Sequence, residues 1–232
     1  MAPSHKPTLA VFKFSSCDGC QLSILNLEDE LLTLADQVSI AYFLEASRET
    51  APGPYDVVLV EGSVTTPEEE ERIRDIRNQA GTLIALGTCA TSGGIQALRN
   101  LADVGALSEA VYSHPEWLDP LDRVSPIADH VAVDYELWGC PVDKHQLLEL
   151  LQAVIAGRRP VLPRTSVCEA CKMKNQVCVL VAEGIPCLGP VTRAGCGALC
   201  PAFGRGCYGC FGPLPYAQGE SMLAILKAAE RT

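Results

Sequence analysis

An α/β fold, with a sheet of parallel strands covered by helices, is predicted by three features of the sequence. Short apolar runs alternate with helical patterns through the first two thirds of the chain. The runs are nearly continuous in apolar character, as strands are when both faces of a parallel sheet are covered. Turns rich in glycine and cysteine follow several runs directly, where ligands bind at the carboxyl ends of parallel strands.

The composition is that of a globular chain. With 48% apolar and 20% charged residues among 232, the chain is able to form one large domain or a domain with a smaller module. The net charge of -10 argues against nucleic acid as the main partner. No apolar run is long enough to span a membrane, and residues 1–7 carry no hydrophobic signal region. We therefore expect a cytoplasmic protein.

The first strand and helix flank a turn that contains two cysteines. Residues 8–14 form a short, β-rich apolar run, which predicts a buried strand. Leucine and isoleucine then recur at helical spacing, which predicts one helix over residues 21–34 with a buried face. The second strand is expected over residues 38–44, followed by a turn at 51–54.

The next strand, helix and strand have clear boundaries. Residues 56–61 predict the third strand. Thr66 and Glu69 have the spacing of a capping box, which predicts the start of a mostly charged covering helix. We expect that helix to end at Gly81, before a fourth strand over residues 82–86.

The last part of the sheet region contains a long excursion. Residues 99–128 lack periodicity and predict an irregular surface loop. Residues 131–137 predict a fifth strand, and leucines within residues 147–154 predict the helix that follows it. Five strands alternating with helices favour a flavodoxin-like sheet, whose ligands bind at the carboxyl ends of the strands.

Cysteine is the exceptional component of the sequence. In a chain expected in the cytoplasm, a dozen cysteines indicate metal ligands rather than disulfides. Four lie in the first 157 residues and eight between 168 and 210, and twelve divides into three complete four-thiolate sites. The positions are Cys17, Cys20, Cys89, Cys140, Cys168, Cys171, Cys178, Cys187, Cys196, Cys200, Cys207 and Cys210.

The four early cysteines are expected to meet at one edge of the sheet. Cys17 and Cys20 follow the first strand, Cys89 follows the fourth and Cys140 follows the fifth. Taken alone, the first pair also fits a thioredoxin-type redox pair or a phosphate-binding turn, and either later cysteine fits a buried core thiol. Their joint placement favours a shared cluster. Glu61 ends the third strand at the same edge, where a structural role and a role beside the cluster are equally open.

The eight late cysteines belong to a segment that cannot bury much apolar surface. Glycine, proline and cysteine dominate residues 160–215, so metal clusters would have to supply its core. Cys200 is followed by proline, as at the end of a ferredoxin run. We therefore predict a flavodoxin-like domain over residues 1–158 and an irregular, ferredoxin-like iron–sulfur segment over residues 159–232, closed by a helix at 219–229.

The spacing of the late cysteines gives eight ligands in total and leaves their division between two clusters open. Zinc would accept the same thiolates, but a zinc ribbon normally uses two C-x2-C pairs, so iron–sulfur is favoured. In two-cluster ferredoxins the cysteine before proline binds the other cluster. We expect Cys168, Cys171 and Cys178 to share one cluster and leave the remaining assignments open.

Four motifs together resemble the small subunit of [NiFe]-hydrogenases. They are C-D-G-C-Q at residues 17–21, V-E-G-S-V at 60–64, G-T-C-A at 87–90 followed by G-G-I, and G-C-P at 139–141. The match spans residues 8–145 with the motifs in the family's order. The resemblance implies that Cys17, Cys20, Cys89 and Cys140 hold the proximal [4Fe–4S] cluster. It also implies that this cluster faces a nickel–iron centre on a separate large subunit.

The cysteine-rich tail makes the chain most similar to the delta-type small subunits of the NADP-linked cytoplasmic sulfhydrogenase group. This resemblance implies three [4Fe–4S] clusters and no catalytic residue on this chain. It also implies electron relay from the large subunit to iron–sulfur and flavin subunits that reduce NAD(P). Deazaflavin-reducing and heterodisulfide-reductase-linked hydrogenases share a related tail and are close alternatives. A stand-alone flavodoxin–ferredoxin carrier and a zinc-stabilised interaction module are the remaining hypotheses.

Overall fold

The computed structural model describes residues 6–229. The first part of the chain forms a five-stranded parallel sheet. Its order is β2-β1-β3-β4-β5 with every neighbouring pair parallel, which confirms the predicted flavodoxin-like α/β fold. The apolar runs of the central strands fill the core, as Val58, Leu59 and Ile84 show by their complete burial. The strands are β1 (Thr8–Lys13), β2 (Ser39–Phe43), β3 (Tyr55–Glu61), β4 (Ala80–Leu86) and β5 (Tyr135–Leu137).

Helices connect the strands and pack against the sheet. The predicted inner faces are buried, with Ile73 and Ile76 on one covering helix and Leu147 and Leu150 on another. The α-helices of this part are α1 (Gly19–Leu25), α2 (Asp29–Gln37), α3 (Pro67–Gln79), α4 (Gly87–Ser92), α5 (Val104–Val111) and α6 (Lys144–Ile155). Three 3₁₀ helices accompany them, at Gly94–Leu101, Pro115–Trp117 and Ile127–Asp129.

The start of α3 follows the predicted cap with one difference. The Thr66 hydroxyl accepts the backbone N–H of Glu69 at 3.3 Å. The Glu69 carboxylate does not return to the cap residue but accepts from the N–H of Thr65 at 2.7 Å. The expectation that Gly81 ends this helix is wrong, since α3 ends at Gln79 and Gly81 lies inside β4. A Cβ at Gly81 would stand only 2.9 Å from the carbonyl oxygen of Asp56, so the position favours glycine within the strand.

The single helix expected over residues 21–34 is wrong, since the structure has α1 and α2 in its place. Glu28 adopts a positive φ of 53° between the two helices. This break turns Leu27 into the core, where it is fully buried, whereas Leu32 is 68% exposed. Apolar spacing alone could not locate the break, because the leucines on both sides keep a helical period.

Two predictions for the later connections also need correction. The expected irregular loop at residues 99–128 contains α5, which Asp103 caps by accepting the N–H of Ala106 at 2.7 Å. The fifth strand covers only Tyr135–Leu137 instead of residues 131–137. The reason is that the side chain of Asp134, rather than a backbone carbonyl, accepts the N–H of Leu83 at 2.8 Å.

A second compact unit begins at Pro160. The predicted closing helix is present as α10, with the predicted bounds. Across residues 6–229 no helix is both long and apolar enough to cross a membrane. The α-helices of this unit are α7 (Val167–Met173), α8 (Val179–Glu183), α9 (Leu199–Ala202) and α10 (Gly219–Ala229). One buried cluster of this unit contains Val167, Cys171, Val179, Cys187, Ala198 and Cys207.

Candidate metal centres

The carboxyl ends of four strands lie side by side at one edge of the sheet. The loops that carry the early cysteines leave from these ends, so separate segments of the chain meet there. The N–H of Thr88 donates to the carbonyl oxygen of Gly139 at 2.9 Å and ties two of the loops together. The strand-end positions, each paired with the next, are Lys13, Glu61, Leu86 and Leu137.

The four early cysteines form one electrostatic group at this edge. Cys20 is buried, Cys89 is half-buried, and Cys17 and Cys140 are exposed. Burial raises the pKa of the Cys20 thiol, and the charges of Glu61, Cys89 and Cys140 raise it further. Burial also raises the pKa of Cys89, with added contributions from Cys140 and Cys17. The fold therefore brings together the residues that the sequence analysis placed at this edge.

Glycines provide the space that the sulfur atoms occupy. A Cβ at Gly87 would overlap the Sγ of Cys20, and a Cβ at Gly94 would lie 2.5 Å from the Sγ of Cys89. Both glycines have positive φ values, 84° and 63°, which other residues rarely adopt. The G-T-C and G-G-I motifs are thus parts of the thiol site, since a larger residue at either glycine would displace a sulfur atom.

Glu61 holds the turn that carries the first two cysteines. Glu61 is 2% exposed, and its carboxylate accepts the backbone N–H of Cys20 at 2.9 Å and the Nε2–H of Gln21 at 2.8 Å. Gln21 also donates to Asp18 at 3.2 Å. Burial raises the pKa of the Glu61 carboxyl, and the hydrogen bonds from Cys20 and Gln21 oppose that rise. The partners that a buried carboxylate requires therefore all lie on the cysteine turn.

Replacing Glu61 with alanine should lower the free energy of unfolding by about 1–3 kcal/mol, because the buried Cys20 N–H would lose its acceptor. Urea titration followed by circular dichroism measures this change. Glu71→Ala removes the same side chain from an exposed position on α3 and should shift the free energy by at most about 0.5 kcal/mol. Equal midpoints for the two variants would contradict the anchoring role of Glu61.

Gln96 is a site residue that the sequence analysis did not single out. Its Nε2–H donates to the carbonyl oxygen of Ser15 at 2.6 Å, and its Oε1 accepts from the Sγ of Cys89 at 3.4 Å. The side chain thus joins the Cys89 loop to the residues before Cys17. The sequence contains one indication of this role, which is that Gln96 directly follows the G-G-I motif. Glutamine is not a usual ligand of iron–sulfur clusters, so its residue type did not mark it as a site residue.

The residue types and their setting fit a four-thiolate iron–sulfur cluster. Four cysteine thiols lie at one edge of the sheet, as the ligands of such a cluster must. At Gly87 and Gly94 the absence of a Cβ leaves room for the sulfur atoms of Cys20 and Cys89. Within residues 6–229 no three His, Cys, Asp or Glu side chains converge closely enough to hold a single metal ion. A [4Fe–4S] cluster does not require such convergence, because each thiolate binds a different iron atom.

The second unit contains a cavity lined by four of the late cysteines. Cys168, Cys171 and Cys178, which the sequence analysis grouped, line it together with Cys187. Burial raises the pKa of Cys168, Lys172 lowers it, and the charges of the other three thiols raise it again. The structure therefore supplies the fourth neighbour that the spacing pattern left open.

The remaining four thiols follow within a short stretch of the same unit. Burial raises the pKa of Cys207, and the charges of Cys187 and Cys196 contribute to the rise. The backbone N–H of Cys207 donates to the Sγ of Cys187 at 3.2 Å, so the two groups of thiols adjoin. Cys200 lies in α9 and, like Cys210, is half-buried.

Comparison with known proteins relates the chain to one protein family and to subunits of several hydrogenases. The model of the family described as NADH ubiquinone oxidoreductase, 20 Kd subunit, matches residues 17–154. The chain is 40% identical to sulfhydrogenase 2 subunit delta of Pyrococcus furiosus, covering 94% of this chain and 92% of the relative. It is 36% identical to a subunit of the F420-non-reducing hydrogenase vhu of Methanocaldococcus jannaschii, covering 88% and 83%. It is 28% identical to the delta subunit of the NAD-reducing hydrogenase HoxS of Cupriavidus necator, covering 68% and 83%.

Solved structures show the same likeness. A chain of an NAD+-reducing [NiFe]-hydrogenase in the H2-reduced state superposes with a TM-score of 0.63 at 31% identity, covering 68% of this chain and 96% of that one. A chain of a [NiFeSe]-hydrogenase from Dm. baculatum superposes with a TM-score of 0.64 at 18% identity, covering 94% and 98%. The second match is a likeness of fold only.

Proposed function

The chain belongs to the family of the NADH–ubiquinone oxidoreductase 20 kDa subunit, and within it to the small subunits of [NiFe]-hydrogenases; from this membership we propose that it carries electrons between a hydrogen-splitting large subunit and an NAD(P)-reducing module. The meeting of Cys17, Cys20, Cys89 and Cys140 at one sheet edge is the observation that supports this most directly. In this proposal hydrogen is split on the partner chain.

Three [4Fe–4S] clusters would supply the one-electron carriers. The four early cysteines would hold the proximal cluster, and Glu61 and Gln96 would fix the two loops that present them. Because burial raises the pKa of several of these thiols, loading them as thiolates would release protons. For the tail, we assign one cluster to the four cysteines that line its cavity, Cys168, Cys171, Cys178 and Cys187. We assign the third to Cys196, Cys200, Cys207 and Cys210.

Two of the similar proteins support a nicotinamide as the electron acceptor. The HoxS delta subunit belongs to an enzyme named as NAD-reducing, and the structural match at 31% identity is a chain of an NAD+-reducing enzyme. By this analogy the partners are the large subunit and iron–sulfur or flavin subunits that pass electrons to NAD(P). The gamma chain of a coenzyme F420 hydrogenase from Methanococcus voltae, 31% identical over 64% of this chain, favours the second candidate, in which a deazaflavin is the acceptor.

Metal analysis and EPR on anaerobically purified protein test the proposal. We expect about twelve irons per chain, reduced iron–sulfur signals, and a stable complex with a nickel-containing large subunit. Stoichiometric zinc with little iron would overturn it in favour of an interaction module. Bound FMN without a large partner would favour a stand-alone carrier. Hydrogen-dependent reduction of NADP, NAD and a deazaflavin, compared on the same complex, separates the two acceptor classes.

A further inference from the structure

A lysine side chain connects the two groups of late thiols in the second unit. Lys174 directly follows α7, the helix that carries Cys168 and Cys171. Its Nζ donates to the carbonyl oxygen of Gly197 at 2.6 Å, across 23 positions of sequence. Gly197 is the residue after Cys196, so the bond runs from the segment of one thiol group to the segment of the other. The first tail group is Cys168, Cys171, Cys178 and Cys187, and the second tail group is Cys196, Cys200, Cys207 and Cys210.

The lysine holds a peptide group in an unusual conformation. Gly197 and Ala198 have positive φ values of 65° and 56°, and the bonded carbonyl belongs to the peptide that joins them. Ala198 carries a Cβ and is 1% exposed, and such a residue keeps a positive φ only where its surroundings hold it there. A Cβ at Gly197 would stand only 3.0 Å from the Lys174 Nζ. The ammonium group therefore lies directly against the loop that carries Cys196.

Capping of its own helix is the ordinary role for a lysine at this place. Lysines near a helix C-terminus bond to the last carbonyl groups and interact favourably with the helix dipole. The carbonyl oxygens of Cys171 and Lys172, at the end of α7, already accept backbone N–H groups at 3.2 and 2.9 Å. The Lys174 Nζ bonds instead to the loop of the second tail group. Capping alone does not account for this contact.

A positive charge at this position has a consequence for iron–sulfur chemistry. Four thiolates outweigh the positive charge of the cluster core that they bind, so a loaded site is net negative and becomes more negative on reduction. A nearby cation stabilises the reduced form and thereby raises the reduction potential. Lys172, on the same segment, lowers the pKa of Cys168 through its charge. Lysines of this segment therefore act electrostatically on the thiols.

We propose that Lys174 is a positioning residue of the electron relay, which holds the Cys196 loop against α7 and raises the reduction potentials of the clusters at both tail groups. The inference rests on the proposed function. The two groups adjoin, since the backbone N–H of Cys207 donates to the Sγ of Cys187 at 3.2 Å. A cation bonded between their segments therefore acts on both groups, and it favours uptake of an electron by each.

A redox titration of this chain in its complex with the large subunit, followed by EPR of the tail clusters, tests the inference. Lys174→Met keeps a long unbranched side chain and removes its charge and its donor. At a fixed solution potential, the ratio of reduced to oxidised tail clusters should fall by at least about three-fold, a modest change because salt screens an exposed charge. Lys174→Arg keeps the charge and the donor groups and should restore the ratio. Iron content should equal that of the unaltered chain in both variants.

Two further variants separate charge and position from general destabilisation. Lys174→Gln keeps an N–H donor without the charge and should show the same fall in the ratio while it retains its tail iron. Lys227→Met is the matched control, because it removes the same charge from an exposed side chain of α10 in the same unit. The ratio in this control should equal that of the unaltered chain.

The outcomes separate this inference from the proposed function. Unchanged ratios in Lys174→Met and Lys174→Gln, with iron retained, would overturn the inference and leave the function standing. An equal fall in Lys227→Met would also overturn it, because net charge rather than the position of Lys174 would then be the cause. An unaltered chain that contains no iron would overturn the proposed function itself.

Discussion

If the proposed electron relay is correct, replacing Cys89 with serine should remove the iron at the sheet edge and abolish hydrogen-dependent NAD(P) reduction by the assembled enzyme. Cys89 interacts electrostatically with Cys17, Cys20 and Cys140 and contacts Gln96, so its loss breaks the four-thiolate set. Iron–sulfur clusters are held by cysteine thiolates, and a serine hydroxyl is a poorer ligand for iron than a thiolate. Iron should fall from about twelve to about eight atoms per chain, with the signals of the tail retained.

The control for Cys89→Ser is Ser92→Ala, one turn further along α4. Ser92 is exposed and donates to the Thr88 carbonyl of its own helix, at 3.0 Å. Its replacement should leave iron content and activity unchanged. Iron analysis, EPR of the reduced chain and hydrogen uptake on the complex provide the three measurements. A Cys89→Ser enzyme with full iron and full activity would show that the early thiols do not form a common site.

Removing iron should unfold the second unit while the sheet unit stays folded. Three cysteines, Cys171, Cys187 and Cys207, are members of a buried cluster in the second unit. Without metal, this core loses the bonds that would compensate for its small apolar content. The sheet unit has its own core, which includes the buried residues of β1, β3 and β4.

Limited proteolysis measures this difference. Anaerobic chelation of the purified complex should raise the rate of cleavage within residues 160–229 by at least about ten-fold, because most of the stability of such a unit resides in its metal bonds. Peptides from the strands of the sheet unit provide the internal control and should remain protected. Cys89→Ser, which keeps the tail thiols, should also keep the tail protected. Equal protection with and without iron would show that apolar packing suffices.

The sheet and its thiol edge were predictable because both depend on simple periodicity. Continuous apolar runs identified the strands, and parallel strands place all their carboxyl ends at one edge. Four cysteines scattered from residue 17 to residue 140 could therefore be grouped from the sequence alone. The structure then gave Glu61 its partners on the cysteine turn, whereas the sequence left its structural and functional roles equally open.

The features that escaped prediction depend on side chains that replace backbone partners. Asp134 shortens β5 by bonding Leu83 through its carboxylate, and Gln96 reaches Ser15 across 81 positions of sequence. Neither leaves a periodic signal. The break between α1 and α2 escaped for a different reason, since Leu27 keeps the helical period while the chain turns at Glu28. Tertiary burial, rather than local propensity, decided that boundary.

The paired strand ends have a consequence for how the chain tolerates changes in length. Cys89 lies three residues after Leu86, Cys140 three residues after Leu137, and Cys17 four residues after Lys13, each counted from a position fixed by the ladder. Insertions in the surface connections leave these short offsets untouched and should be accepted. An insertion of a single residue between a strand end and its cysteine would move one sulfur atom while the others stayed in place. The tolerance of this sequence to insertion is thus governed by three short spacers rather than by the long intervals between its motifs.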